Sequence, residues 1–203
     1  MTPPERSAER DAAIEAMLPH VPFDGWTLGA VRRGLASIGA EPEDAALLFP
    51  GGAADMIEAF CDWADRRMEE GAAGLDPALR LHERVRAVIA LRLEQNRPFK
   101  EAIRRALAVL AMPGHARLAA GCTARTVDTI WHAAGDRSAD FSWYTKRAIL
   151  AGVYGATLLY WLRDSSDDDA ATLAFLDRRL AGVGRITSVR RRVEGAVGKL
   201  RAA

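Results

Sequence analysis

Four residues in the C-terminal half have the types and spacing to act together. Asp140, Trp143, Tyr144 and Arg147 stand at i, i+3, i+4 and i+7, so on a helix they form one continuous face. Two rings and two opposite charges make a poor core face. Trp, Tyr and Arg are the residues most enriched among interface hot spots, so the chemistry offered is recognition, a docking surface for a protein partner. The competing arrangement folds Trp143 and Tyr144 inward and leaves Asp140 to begin the helix.

Residue types that would do bond chemistry are scattered. His20, His82, His115 and His132 form no HExxH and no ExxH pair of the kind that builds a helical di-iron site. The acidic run from Asp164 to Asp169 superficially resembles a calcium loop. However, its sixth position is Asp169 where the loop needs Gly, and its twelfth is Phe175 where it needs Glu. Helix capping accounts for the run better, because carboxylates favour the N-terminal end of a helix beginning near Asp167. There is no GxGxxG, no P-loop and no Ser/His/Asp set, so the expectation is a protein that is not an enzyme, with no catalytic residues, no metal and no cofactor.

The elements that must position the mixed face are helices. From Ala148 to Leu162 no residue is charged, and only Gly152, Gly155 and Thr157 interrupt the apolar run. Such a helix is apolar all round and is expected in the middle of a bundle. Its 15 residues fall short of the ~18 or more that a membrane span needs. Before it, Val127, Ile130, Trp131 and Ala134 give an apolar stripe at i, i+3, i+4 and i+7. The five-residue loop GDRSA, 135 to 139, would bring that stripe beside the mixed face to make one patch.

Taken in order, residues 1 to 6 hold two prolines and no apolar period. Ser7 reads as an N-cap for a short helix with Ile14, Met17 and Leu18 on one side, ended by Pro19 and Pro22, and FDGW at 23 to 26 reads as a turn. Thr27 caps a second helix bearing Leu28, Val31, Leu35 and Ile38, stopped by Gly39. Pro42 opens a third, very short one that ends in Leu47, Leu48 and Phe49 before Pro50-Gly51-Gly52. Longer helices follow. Met56, Ile57, Phe60 and Trp63 mark one from about Asp55 to Glu70, before the glycine-rich break at 71 to 74. Leu81, Val85, Val88, Ile89 and Arg92 run along one side of another, from Pro77 to about Asn96, and Ile103, Leu107 and Leu110 face inward on a third, from Lys100 to Ala111. Pro113 starts the helix that reaches about Ala134. About ten helices and no strand define an all-α chain. Its parts are a head over 1–52, a helical body over 53–184 and a basic amphipathic helix over 185–203.

Composition narrows the function classes. Of 203 residues, 28 are Lys or Arg and 27 Asp or Glu, so no global field recruits nucleic acid or anionic lipid. Cys61 and Cys122 stand apart from each other and from any His cluster, which suits a reducing compartment and thiols used as small core residues. The N-terminus shows no apolar signal region, so a cytoplasmic protein is expected, neither secreted nor cleaved. Charge concentrates at the C-terminus, where Ile186, Val189, Val193, Val197 and Leu200 form a narrow apolar stripe among Arg185, Arg190, Arg191, Arg192, Lys199 and Arg201. A helix of that kind can lie on an anionic membrane surface.

Three short helices followed by long ones resemble the layout of TetR-type repressors, whose third helix enters the major groove. Here that segment, EPEDAALLFPGG, carries Glu41, Glu43 and Asp44 and no Lys or Arg. Ala46 and Gly52 stand where the family has tyrosine and lysine. Carboxylates repel phosphate, so the scaffold is expected without DNA binding.

A second resemblance covers nearly the whole chain. HVPFDGWT at 20 to 27, LFPGG at 48 to 52 and WHAAGDRSADFSWYTKRAILAGVYGATLLYWLRDSSDDDAATLAFLDRRL at 131 to 180 are similar to the Coq-nine family of ubiquinone-biosynthesis proteins. The resemblance implies a TetR-like fold that does not bind DNA and a hydrophobic pocket for an isoprenoid or quinone lipid. It also implies delivery of that lipid to a quinone-ring hydroxylase. The implied partner surface is Asp128, Ile130, Asp140, Trp143, Tyr144 and Arg147. The apolar helix supplies the candidate lipid-lining residues Ile149, Val153, Ala156, Leu159 and Tyr160, and the tail supplies candidate membrane contacts at Ile186, Val189, Arg190, Val193, Val197 and Leu200. The absence of a mitochondrial transit segment fits a bacterial member, peripheral to the inner face of the cell membrane. The tail after Leu180 is shorter and more basic than that of the mitochondrial proteins. TetR relatives pair through their last two long helices, so a homodimer is expected. Two alternatives stay open, a ligand-responsive regulator of the TetR type and a dimerisation module without a cavity, since small residues pack helices closely as readily as they leave space.

Overall fold

The computed structural model describes residues 4–136 and 142–182, and the described residues form helices joined by turns and short irregular stretches, with no strand among them. The expected all-α architecture is present among the described residues. The helices are α1 (Ala8–Met17), α2 (Val21–Asp24), α3 (Leu28–Ser37), α4 (Ala45–Leu48), α5 (Gly52–Ala72), α6 (Leu81–Asn96), α7 (Lys100–Leu110), α8 (Ala116–Ala133) and α9 (Ser142–Trp161). A tenth, α10, runs over 170–182.

Local chemistry explains most of the boundaries. The Ser7 hydroxyl accepts from the Arg10 N–H at 3.1 Å, and Thr27 accepts from the Ala30 N–H at 3.3 Å, as expected of N-caps. Gly39, at φ 74°, supplies the left-handed residue that closes α3. Two expectations shift. Pro22 belongs to the first turn of α2, a position that tolerates proline, where a stop and an open turn were expected. Helix α6 begins at Leu81, after a turn at 76–79, instead of at Pro77.

The head is fixed firmly to the body. An added Cβ on Gly34 would stand 2.7 Å from backbone atoms of Ala16 and Met17, so only glycine lets α3 lie this close to α1. Arg10, 5 % exposed, pairs with Asp55 at 2.5 Å, donates to the Leu48 carbonyl and lies 4.6 Å from the Phe49 ring centroid. Arg6 grips Asp62 with two hydrogen bonds of 2.9 and 2.7 Å, and Arg66 grips Asp11 with two of 2.8 and 2.6 Å. The Trp26 indole donates to the Ala102 carbonyl at 3.0 Å, so the turn at 23 to 26 is anchored on α7.

The bundle is organised around α5 and α8, and this corrects the placement expected of the apolar helix. α5 packs on α1, α6, α7 and α8, while α9 packs on α8 and, more lightly, on α6. Leu150, Val153, Tyr154, Thr157 and Trp161 form its buried face. On the other side Ile149, Leu159 and Tyr160 are 38, 59 and 38 % exposed, and Gly152 is exposed as well. α9 is therefore an outer helix with an apolar back. Its uniform composition hid which face the core covers, because no polar face was left to mark the solvent side.

The acidic run is a cap and a strut, in line with the capping reading. Asp164 accepts from the Ser166 N–H, the Thr172 N–H and the Thr172 hydroxyl at 2.9, 2.8 and 2.5 Å, and these bonds hold its carboxyl well below the usual range against the effect of burial. Asp169 meets Arg97 at 3.0 Å and Lys100 at 3.6 Å, tying the start of α10 to the α6–α7 corner. Among the described residues no three His, Cys, Asp or Glu side chains gather into a metal site, and no helix is long and apolar enough to cross a membrane.

Candidate lipid site and partner face

A cavity of ≈330 Å³ lies among α5, α6, α7, α8 and α9. Its walls are mainly apolar: Phe60 from α5, Ile103, Leu107 and Leu110 from α7, and Leu158 and Leu159 from α9. The volume and lining match those of ordinary small-molecule sites. Leu159 and Ala111 line the cavity and also reach solvent, so the mouth opens between α7 and α9.

The inner end is polar. Arg92, 3 % exposed, places Nη2 3.0 Å from Asp65 Oδ1 and 3.5 Å from the Cys61 carbonyl. The Thr126 hydroxyl donates to Asp65 Oδ2 at 3.0 Å. Burial pushes the Asp65 carboxyl up to about 6, against the pull of Arg92 and the Thr126 hydrogen bond. Burial also works against the charge on Arg92, yet the Asp65 carboxylate, Tyr154 and Cys61 outweigh it and raise the arginine above its ordinary value. Tyr154 faces the same guanidinium, and its phenol is raised chiefly by burial. The two thiols meet here across α5 and α8, and their mutual hydrogen bond raises Cys61 and lowers Cys122.

The structure redistributes the expected lining residues. Of Ile149, Val153, Ala156, Leu159 and Tyr160, Leu159 alone borders the cavity. Val153 is buried in the core away from it, Ile149 points outward, Ala156 is half-buried, and Tyr160 stacks on Phe175 at 4.5 Å between centroids. Tyr154, one position after Val153, and Leu158, two before Tyr160, take their place. The walls from α6 and α7 were not anticipated as a site. Their signal was present in the sequence, since Arg92 sits in the same stripe as Val85, Val88 and Ile89.

The expected partner face is partly assembled. Arg147 of α9 reaches Asp128 of α8 with Nε and Nη2 at 2.7 and 2.5 Å. Tyr144 is 76 % exposed one turn earlier on α9. Ile130 is 0 % exposed and is corrected to a core residue. Two residues on from Asp128, it lies about 200° round a helix of 3.6 residues per turn. Of the stripe Val127, Ile130, Trp131 and Ala134, Trp131 is half-buried against the core and the other three are buried, so it forms no surface patch. Asp140, the Trp143 side chain and the tail residues Ile186, Val189, Arg190, Val193, Val197 and Leu200 lie outside the described residues.

Comparison with known proteins follows this geometry. The family model described as COQ9 matches residues 116–187, which include α8, α9 and α10. The "Ubiquinone biosynthesis protein COQ9, mitochondrial" of Rattus norvegicus is 34 % identical over 175 residues, covering 82 % of this chain and 56 % of the rat protein. The human protein of the same name is 33 % identical, over 82 % of this chain and 55 % of its own length. This chain thus spans about half the length of these animal relatives. The Schizosaccharomyces pombe protein is 31 % identical over 188 residues, covering 91 % of this chain and 73 % of its own. Among solved structures, a TetR transcriptional regulator from Nitrosomonas europaea superposes with a TM-score of 0.68 at 23 % identity, over 86 % of this chain and 97 % of the regulator, a likeness of fold. With more than 30 % identity sustained over most of both this chain and the yeast protein, the chain belongs to the COQ9 family.

Proposed function

We propose that this chain is a non-enzymatic, lipid-binding accessory protein of ubiquinone biosynthesis. In this reading it holds an isoprenoid quinone intermediate in the cavity between α7 and α9 and presents it to a quinone-ring hydroxylase. The observation that carries the reading is the apolar cavity with a buried polar end, in a chain whose relatives bear the ubiquinone-biosynthesis name. The hydroxylase docks where Tyr144 stands exposed beside the Asp128–Arg147 bridge, with Asp140 and Trp143 continuing that face along the sequence. The basic tail, 185–203, holds the chain at the inner face of the cell membrane, and two copies pair through the apolar back of α9. Nucleic acid is not a partner, since the segment from Glu41 to Gly52 carries three carboxylates and no cation.

Native mass spectrometry of the purified full chain, followed by lipid extraction, tests the reading. A bound isoprenoid or quinone lipid at one per protomer is expected. A protein that carries no lipid, and takes none up from vesicles containing ubiquinone, would overturn it.

A further inference from the structure

Arginine–aspartate pairs elsewhere in this molecule are two-pronged. Arg6 on Asp62, Arg66 on Asp11 and Arg86 on Asp177 each donate through two guanidinium nitrogens to one carboxylate. That fork is the favoured geometry for the pair. Arg92, more deeply buried than any of these, meets Asp65 through Nη2 alone. Its Nε and Nη1 are buried and make no hydrogen bond of good geometry, while the Tyr154 phenol stands close enough to the guanidinium to interact with it. Buried donors are nearly always satisfied, and one left unmade costs about 1–3 kcal/mol. Arg92 lines the cavity, and Asn96, 4 % exposed and one turn further along α6, lines it too. Thr126 takes Asp65 Oδ2, and Asp65 Oδ1, 3.0 Å from Arg92 Nη2, makes no hydrogen bond of good geometry, so the aspartate balances the charge of Arg92 without matching its Nε and Nη1.

We propose that Arg92, assisted by Asn96, is the head-group clamp of this cavity: its spare N–H donors receive the oxygen acceptors of an amphiphile whose branched apolar tail runs outward between α7 and α9 to the mouth at Leu159. The proposal rests on the lipid-holding reading and adds the orientation of the ligand and the chemistry of its head. Asp65 is the positioning residue that holds the guanidinium in place. A hydrocarbon of the same length fills the apolar walls but leaves the donors unmatched, so the site selects for oxygen at the inner end. Carboxylate and quinone carbonyl oxygens share that chemistry.

The full chain is titrated with three probes that share a ten-carbon branched chain: geranyl-1,4-benzoquinone, geranic acid and the hydrocarbon myrcene. Wild type is expected to bind at least one oxygen-headed probe about 10- to 100-fold more tightly than myrcene, the range that charge-assisted hydrogen bonds give. Which of the two binds better identifies the source of the oxygen. Arg92→Met combined with Asp65→Asn removes both charges together and leaves no orphaned ion. It should lose that preference while myrcene binds as before. Asn96→Leu, which disturbs no ion pair, should lose a smaller part of it. If the preference persists in both variants, or if wild type shows none, the clamp is overturned while lipid holding stands. If wild type binds none of the three probes, the lipid-holding reading falls and the clamp falls with it.

Discussion

Arg10 and Arg92 are buried to nearly the same degree, 5 and 3 % exposed, and each sits beside an aspartate on or against α5. Their surroundings differ in kind. Arg10 is packed into the joint between head and body, where Asp55, the Leu48 carbonyl and the Phe49 ring enclose it. Arg92 borders empty space and keeps two of its nitrogens without a partner. One buried arginine completes an interface within the chain, whereas the other, in the clamp proposed above, is completed by a ligand. Arg10 leaves one buried nitrogen, Nε, without a hydrogen-bond partner and Arg92 leaves two. Of the pair Arg92 is the one that borders a cavity, so unmatched donors facing a void mark the binding ion where burial alone does not.

The sharpest way to break this comparison is to remove each ion. Arg10→Met leaves Asp55 and the Leu48 carbonyl without their partner and should cost about 3 kcal/mol or more, by analogy with other buried pairs broken on one side. For a chain of this size that lowers Tm by roughly 10 °C. The Asp65→Asn and Arg92→Met double variant should remain within about 1 kcal/mol of wild type. Thermal melting of the two checks the contrast, and equal losses would erase it.

The same two regions respond to pH in opposite directions. The Asp65 carboxyl titrates at about 6 when folded, against an ordinary value of 3.8, so the folded state binds more protons between roughly pH 4 and 6. Its contribution to stability is therefore greatest at low pH and falls as pH rises through 6, by up to about 3 kcal/mol for a shift of roughly two units. Asp62 at the joint is opposed by burial but held by Arg6 and Arg66, and the net effect lowers its pKa. Its stabilisation is present at neutral pH and lost as pH falls towards that lowered value. Denaturant titrations from pH 4 to 7 should show wild type losing stability relative to Asp65→Asn as pH rises. Parallel curves would contradict the raised Asp65.

A smaller effect is expected at the apolar back of α9. Ile149→Glu places a charge on a side chain already 38 % exposed, and should change monomer stability by about 0.5 kcal/mol or less. It should weaken pairing of two copies, which sedimentation equilibrium reads directly. A large loss of melting temperature with no change in association would mean that this face is covered within the chain.

How far the sequence disclosed this arrangement depends on how much contrast each helix carries. The stripe of Met56, Ile57, Phe60 and Trp63 marked the inner face of α5, and all four are buried. Ser7, Thr27 and Gly39 marked their helix ends. α9 defeated the same method, because a helix apolar on every side has no phase. It was placed at the centre, and two of its lining residues were read one or two positions off, at Val153 and Tyr160 where the cavity meets Tyr154 and Leu158. Ile130 was assigned to a docking patch, both through a resemblance and with its stripe of Val127, Trp131 and Ala134, whereas it lies in the core, because an apolar stripe alone does not say whether it faces a partner or the rest of the chain. Arg92 was legible as an arginine within an apolar stripe. That it faces a void and leaves donors unmatched depends on walls from α7, α8 and α9, distant in sequence, and no periodicity within α6 reports them.

The most direct test of the central claim, that the cavity is the working site, is to fill it. Leu107→Trp projects an indole from α7 into the space, and Ala119→Phe does so from α8. Each is expressed in cells lacking their own copy, and cellular ubiquinone is measured beside the melting temperature of the purified chain. The account predicts ubiquinone near the level of the deletion strain with melting close to wild type; full ubiquinone from chains whose cavity is filled would contradict it.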